Sequence, residues 1–141
     1  MKTIFAVVAL AASAFAQTVN IGFPLPGQNI SAGSSVNVQV EEGRQLDALT
    51  EIGIAVTLQH CQQNPCEDVS EDLGTIFFAG PFQPQNFQPP ASSGEPYQNF
   101  TVNIPSSFAK GPAVFSVPHA ALFGLGPEFF TQISNVTVNI V

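Results

Sequence analysis

The residues that could support acid–base or nucleophilic catalysis are few in this sequence. It has two histidines, His60 and His119, and His119 follows Val117-Pro118 at the end of an alternating apolar segment. No G-x-S-x-G sequence occurs, although this motif exposes the catalytic serine of many hydrolases. Because a catalytic triad assembles in space and not along the chain, a triad that uses either histidine stays an alternative. The motifs favour a non-catalytic protein in which each histidine makes structural hydrogen bonds.

A run of acidic residues follows the second cysteine and is the densest charge feature of the chain. Glu67, Asp68, Glu71 and Asp72 offer the oxygen ligands that Ca²⁺ prefers. The run does not match an EF-hand loop, because Gly74 does not lie where that loop needs its glycine. A pair of glycosidase carboxylates would have to face each other across a cleft, which spacing cannot show. We therefore interpret the run as a solvated loop, and we expect neither a metal ion nor a cofactor.

The two cysteines, Cys61 and Cys66, are separated by Gln-Gln-Asn-Pro. The CxxxxC spacing is not a redox motif, and two thiols are too few for a structural zinc site. In an exported protein an isolated pair is expected to form a disulfide, here across a turn at Asn64-Pro65. The chain-entropy model gives so short a loop about 2 kcal/mol of stabilisation.

The N-terminus has the features of a secretory signal peptide. Lys2 precedes an apolar run, and Ala14-Phe15-Ala16 stands before Gln17 as a small-residue cleavage sequence. The run is shorter than the roughly 20 apolar residues that cross a bilayer. We expect a signal peptide at residues 1–16 and a single domain at residues 17–141, secreted to the extracellular space without a membrane anchor.

The charge of the chain excludes two classes of partner. Ten acidic residues stand against three basic ones, for a formal net charge of −7, and the loss of Lys2 with the signal peptide makes this charge −8. Nucleic-acid binding and adhesion to anionic lipid both require basic patches. We expect neither nucleic acid nor membrane as a partner, and we expect a monomer.

Alternation of apolar and polar residues dominates the rest of the chain and predicts β-strands. Evenly spread proline and glycine leave room for helical turns only at Leu46–Leu49 and Ala120–Gly124. About seven short strands at regular spacing predict an all-β fold, an antiparallel β-sandwich of immunoglobulin or fibronectin type. The strongest runs lie at Val36–Val40, Ile52–Leu58, Phe100–Ile104 and Val136–Ile140, and weaker ones at Thr18–Phe23, Thr75–Ala79 and Ala113–Val117.

Three N-glycosylation sequons begin at Asn29, Asn99 and Asn135. Asn99 and Asn135 fall on the polar phase of predicted strands, so their side chains are expected to point into water. The sequence therefore predicts a glycoprotein modified at these sites.

The segment Gly80–Pro96 interrupts the strand pattern. It carries five prolines and two phenylalanines, Phe82 and Phe87. Proline lacks a ladder donor, so this segment is predicted to be a surface loop or an edge. Long loops in small domains often bind partners, and Phe82 and Phe87 are the candidate anchors for a protein partner. The alternative is that both side chains pin the loop to the sandwich.

A carbohydrate-binding or cell-wall module is the alternative function for a secreted sandwich of this kind. Sugar rings usually stack on exposed aromatic side chains, and this sequence offers only Tyr97 and the loop phenylalanines for that purpose. Sequence alone does not separate this alternative from protein binding.

The second half of the chain carries a recognisable string of motifs, namely Gly80-Pro-Phe82, Gln98-Asn-Phe-Thr-Val102, Ile104-Pro105, Lys110-Gly111, Val117-Pro-His119, Leu122-Phe-Gly124 and Asn135-Val-Thr-Val138. On these motifs the chain resembles the necrosis-inducing secreted protein family of fungal effectors. The resemblance implies a non-catalytic protein that binds host plant proteins, namely immune-receptor-associated kinases. It also implies that the protein inhibits these kinases, after delivery into host cells, and so suppresses pattern-triggered immunity as a virulence factor.

Overall fold

Eight β-strands form the regular secondary structure of the described residues, which contain no helix. The computed structural model describes residues 19–43, 49–86 and 93–141. The strands are β1 (Val19–Phe23), β2 (Asn29–Ile30), β3 (Ser35–Glu42), β4 (Leu49–His60), β5 (Thr75–Gly80), β6 (Tyr97–Asn103), β7 (Gly111–Phe123) and β8 (Glu128–Ile140).

The strands pair into two sheets, one of order β1-β3-β6 and one of order β2-β8-β7-β4-β5. The pairs are antiparallel except for β2 with β8, which is parallel. When the two-residue β2 is left out, β1, β3 and β6 are the first, second and fifth strands of the chain. An immunoglobulin-type sandwich also has its first, second and fifth strands in one sheet. The predicted antiparallel β-sandwich is therefore confirmed, with eight strands because the two-residue β2 was not expected.

The core lies between the two sheets and is built from the apolar phase of each strand. Val38 and Val40 on β3 are fully buried, as are Val56 on β4 and Phe115 on β7. Each such side chain contributes about 1.5–3 kcal/mol by its removal from water. Because successive side chains of a strand point to opposite faces, the sequence alternation alone is enough to form this core.

Two local predictions differ from the structure. The predicted strand Ala113–Val117 lies in the first half of the much longer β7, and the predicted turn at Ala120–Gly124 is wrong, since Phe123 still pairs with Glu128. Continuous pairing with β8 overrides the weak local preference of this alanine-rich segment. The other predicted turn falls largely outside the described residues, and its last residue, Leu49, begins β4.

Within the described residues, no helix has the length and apolar character needed to cross a membrane. The predicted signal peptide at residues 1–16 lies outside the described residues and stays a prediction.

Candidate functional site

An open cleft crosses the outer face of the five-stranded sheet, on the side away from the core. We call it the outer cleft; its volume is about 900 Å³ and it spans β8, β7, β4 and β5. Small or apolar residues form its floor and walls, so the cleft presents a largely apolar surface. They include Ile52, Gly53, Ala55, Pro81, Pro118, Ala120 and Ile133.

Gly53 allows the close approach of strands that shapes this cleft. A Cβ atom on Gly53 would lie 2.7 Å from the carbonyl oxygen of Gly80, which is closer than real side chains come. A β-bulge between Glu51 and Gly53 shifts the register with β7 at the same point. Only glycine fits here, and the bulge bends β4 at the cleft.

The same bulge corrects a sequence prediction. Alternation placed Ile52 on the core face together with Ile54, but the Ile52 side chain is 53% exposed. The additional residue of a bulge reverses the phase of the strand on one side of it, so Ile52 turns towards solvent while Ile54 stays buried. Ile76 on the neighbouring β5 is 65% exposed. Sequence reasoning missed both residues as candidate contact residues.

A polar cluster formed by Glu42, Glu51 and His119 lies beneath the cleft, at one end of the core. Nε2 of His119 is 2.5 Å from Oε2 of Glu51, and the His119 side chain is fully buried. Oε1 of Glu51 is buried without a hydrogen-bond partner. Burial raises the pKa of Glu42, the negative charge of Glu51 raises it further, and His119 partly offsets both effects.

The surroundings of His119 assign it a structural role. Its ring contacts the rings of Phe82 and Phe130 edge-on, with centroid distances of 6.2 and 6.5 Å. A fully buried imidazole cannot reach a substrate, so the arrangement does not present this histidine for acid–base chemistry.

The acidic run uses its carboxylates to shape its own loop. Glu67 accepts a hydrogen bond from the Gln62 N–H, and Asp72 accepts one from the Gly74 N–H, each at 2.8 Å. Asp68 accepts the Ser70 N–H, and this bond lowers the pKa of Asp68. Among the described residues, no three histidine, cysteine or acidic side chains are grouped so that they could hold a metal ion.

Of the two candidate anchors, Phe82 and Phe87, the structure describes only Phe82. The Phe82 side chain is only 3% exposed and belongs to the hydrophobic core. It therefore pins the start of the loop to the sandwich, and the structure corrects its assignment as a surface anchor. Burial of a large aromatic ring explains this position. Phe87 lies outside the described residues.

The predicted disulfide between Cys61 and Cys66 is present, with an S–S distance of 2.03 Å. The Cys61 N–H donates a hydrogen bond of 3.0 Å to the carbonyl of Pro112, which ties the small loop to the start of β7. The bridge therefore fixes the connection that leads from β4 into the acidic loop.

The three sequon asparagines, Asn29, Asn99 and Asn135, have exposed side chains on β2, β6 and β8. Tyr97, the tyrosine considered for sugar stacking, is only 7% exposed. Glycans at the three sites would extend into solvent, whereas Tyr97 and Phe82 cannot offer a face to a sugar ring.

Comparison with known proteins gives one match and one negative result. No curated protein has a sequence that matches this chain. The family model of the Nis1 family matches residues 14–139, which is nearly the whole chain. This match agrees with the predicted resemblance to fungal effectors. The chain belongs to the Nis1 family, a family of fungal effectors.

Proposed function

We propose that this protein is a secreted effector that acts by binding host plant proteins. Its proposed targets are immune-receptor-associated kinases, whose activity it inhibits so that pattern-triggered immunity is suppressed. Family membership supports the effector role, and the resemblance noted in the sequence supports the kinase target. Induction of necrosis in leaves is proposed on the same resemblance.

The observation that carries this proposal is the exposed apolar face around the outer cleft. Ile52 is 53% exposed in the cleft, and Pro81, Pro118 and Ala120 continue its apolar lining. Ile76, which is 65% exposed on β5, lines the neighbouring groove. An apolar area of this kind, rimmed by polar side chains, is typical of protein interaction sites. The exposure of this apolar area in a small domain favours a role in binding.

A second candidate function is the binding of cell-wall carbohydrate, and Phe129 is the residue that favours it. This side chain is 70% exposed on β8, at the end of the sheet near the β7–β8 turn. A single phenylalanine without a second exposed ring beside it in the described residues is a poor stacking platform. Sedimentation with chitin, β-glucan and cellulose tests this function, and it requires that Phe129→Ala abolish sedimentation.

The kinase proposal is tested by pull-down and in vitro phosphorylation with purified kinase domains of plant immune-receptor-associated kinases. The cleft is blocked by Ala120→Lys, which introduces a long charged side chain on its floor. The matched control is Ser107→Lys in the exposed turn that follows β6. We expect wild type and Ser107→Lys to bind and to lower kinase activity, and Ala120→Lys to bind about tenfold more weakly or worse.

The possible results test two points separately, namely whether a kinase is the target and whether the outer cleft is the contact surface. Absence of binding to any kinase at micromolar concentration overturns the kinase target. Equal binding by Ala120→Lys and wild type shows that a surface other than the outer cleft makes the contact. Infiltration of the wild-type protein into leaves tests necrosis, and leaves without cell death would contradict that part of the proposal.

A further inference from the structure

β5 lies at the edge of the five-stranded sheet. It pairs with β4 on one side, from Thr75 opposite Leu58 to Gly80 opposite Ile54. In the part of the chain that the structure describes, no strand pairs with its other side. The N–H and C=O groups that point away from β4 are therefore available to another extended chain.

The other three edges of the sandwich carry features that hinder pairing. β2 has only two residues, and the outer carbonyl of Val19 on β1 accepts a hydrogen bond of 2.8 Å from the side chain of Gln132. β6 alternates polar residues and carries the sequon asparagine Asn99. β5 reads Thr-Ile-Phe-Phe-Ala-Gly and has no charged residue or proline; its one feature that hinders pairing is a bulge opposite Val56 and Thr57.

We propose that the edge of β5 is a docking site for a cationic, extended segment of a partner protein, which adds to the five-stranded sheet as a further strand. The inference rests on the proposed function, because it specifies how a protein partner is recognised. In this mode main-chain hydrogen bonds supply affinity, and pockets for alternate side chains supply specificity.

The side-chain pocket for such a strand lies beside Ile76. A groove of about 300 Å³ runs between β4, β5 and the acidic loop. Ala55, Ile76 and Leu73 give it apolar walls, while Glu71 and Asp72 lie at its acidic rim. An apolar groove with an acidic rim fits the aliphatic stem and the charged end of a lysine or arginine.

The negative charge of the chain favours a cationic partner over a second copy of the same chain. No lysine or arginine occurs between Leu49 and Asn86, and the whole chain has a formal net charge of −7. Two copies joined along β5 would bring together two domains that each carry a net negative charge, and like charges facing each other disfavour such a pairing. A segment rich in lysine or arginine is instead attracted by the negative potential of this acidic surface.

Two of the three predicted glycosylation sites lie away from this edge. None of the three sequons lies on β4 or β5, since their asparagines stand on β2, β6 and β8. Asn135 on β8 is separated from β5 by two intervening strands, a distance of about 14 Å at the usual strand spacing. Asn99 lies nearer, because its strand β6 packs against β5 through the rings of Phe100 and Phe78.

The test uses a peptide of four lysine–valine repeats as the probe, with labelled full-length mature protein. Control peptides are four glutamate–valine repeats, of opposite charge, and four lysine–proline repeats, which keep the charge but cannot form a strand. Affinity is measured by fluorescence anisotropy, and the site by hydrogen exchange of backbone amides. We expect the lysine–valine peptide to bind about tenfold or more tightly than either control and to slow exchange within Thr75–Gly80.

Two variants test whether the peptide binds at β5. Ile76→Lys introduces a positive charge in the groove and is expected to weaken peptide binding about tenfold. Leu25→Lys is the matched control, because Leu25 is 59% exposed in the turn between β1 and β2. Equal binding of the lysine–proline peptide, protection at a strand other than β5, or equal loss in both variants overturns the inference.

The same variants separate this inference from the proposed function. One outcome is that Ile76→Lys abolishes peptide binding, while a kinase binds the variant as tightly as it binds wild type. The kinase target then stands, but the kinase does not recognise the β5 edge, so the inference fails. If the peptide adds to β5 while no kinase binds, the docking edge stands and the kinase target fails.

Discussion

His119 and Glu51 meet beneath the outer cleft, where Nε2 and Oε2 are 2.5 Å apart although the two residues are 68 positions apart in the chain. The imidazole belongs to β7 and the carboxylate to β4, and the His119 side chain is fully buried while Glu51 is 19% exposed. The pair joins two neighbouring strands directly under the surface proposed to bind a partner. Its loss should therefore affect both the stability of the fold and the shape of the cleft.

We expect His119→Ala to lower the free energy of unfolding by about 3 kcal/mol or more, because it leaves the largely buried Glu51 carboxylate without its partner. Urea unfolding followed by circular dichroism measures the change. His60→Ala is the control, since His60 is only partly buried and bonds to the carbonyl of Lys110 at 3.1 Å. That variant should lose under about 1 kcal/mol, and equal losses would contradict the assigned role of His119.

Glu42 should make stability depend on pH. Its pKa in the folded protein is raised above the ordinary value of 4.5, first by burial and then by the charge of Glu51. The folded protein therefore binds this proton more tightly than the unfolded chain does. The resulting stabilisation is fully present below pH 4.5 and is lost as the pH rises through the raised pKa.

The Glu42→Gln variant tests this dependence by urea unfolding at pH 4 and at pH 7. Relative to the variant, wild type should be more stable at pH 4 than at pH 7, because glutamine has no proton to lose. Glu128→Gln, at the exposed start of β8, is the control. A difference between wild type and Glu42→Gln that does not change with pH would contradict the prediction.

Phe82 should behave as a core residue. Phe82→Ala is expected to cost about 3–5 kcal/mol of unfolding free energy, since it removes a ring that is 3% exposed. Ile76→Ala removes a side chain that is 65% exposed and should change stability by less than about 1 kcal/mol. Thermal unfolding of both variants decides the matter. A stable Phe82→Ala protein would restore Phe82 as a candidate surface anchor.

Replacement of both Cys61 and Cys66 by serine should lower stability by about 2 kcal/mol, because the bridge closes a loop of only six residues. The circular dichroism spectrum should stay that of a β-protein, since the disulfide lies outside the core strands. This result bears on the kinase proposal, because the cytosol reduces exposed disulfides. A variant that fails to fold would mean that the effector cannot act there in its reduced form.

The three sequons should carry glycans when the protein is secreted from a fungal host. Single Asn→Gln variants at Asn29, Asn99 and Asn135 should each remove one step of the mobility shift that an endoglycosidase also removes. Unfolding before and after deglycosylation should coincide, because all three side chains face solvent. An unshifted wild-type protein would contradict the prediction.

The sequence by itself determined the β-class, the main strands and the disulfide. Alternation in a run such as Val36–Val40 is a local property that decides which face is buried. The two cysteines, Cys61 and Cys66, have only each other as partners within one chain. Local patterns of this kind need no knowledge of which strands become neighbours.

Tertiary structure alone decided the features on which the candidate site depends. Ile52 faces solvent because a bulge against β7 reverses its phase, and Phe82 is buried because the loop after β5 turns back onto the core. His119 meets Glu51, and β5 lies at the edge of its sheet, only through the order in which distant strands pair. Strand order is a property of long-range packing, and no local spacing of residues specifies it.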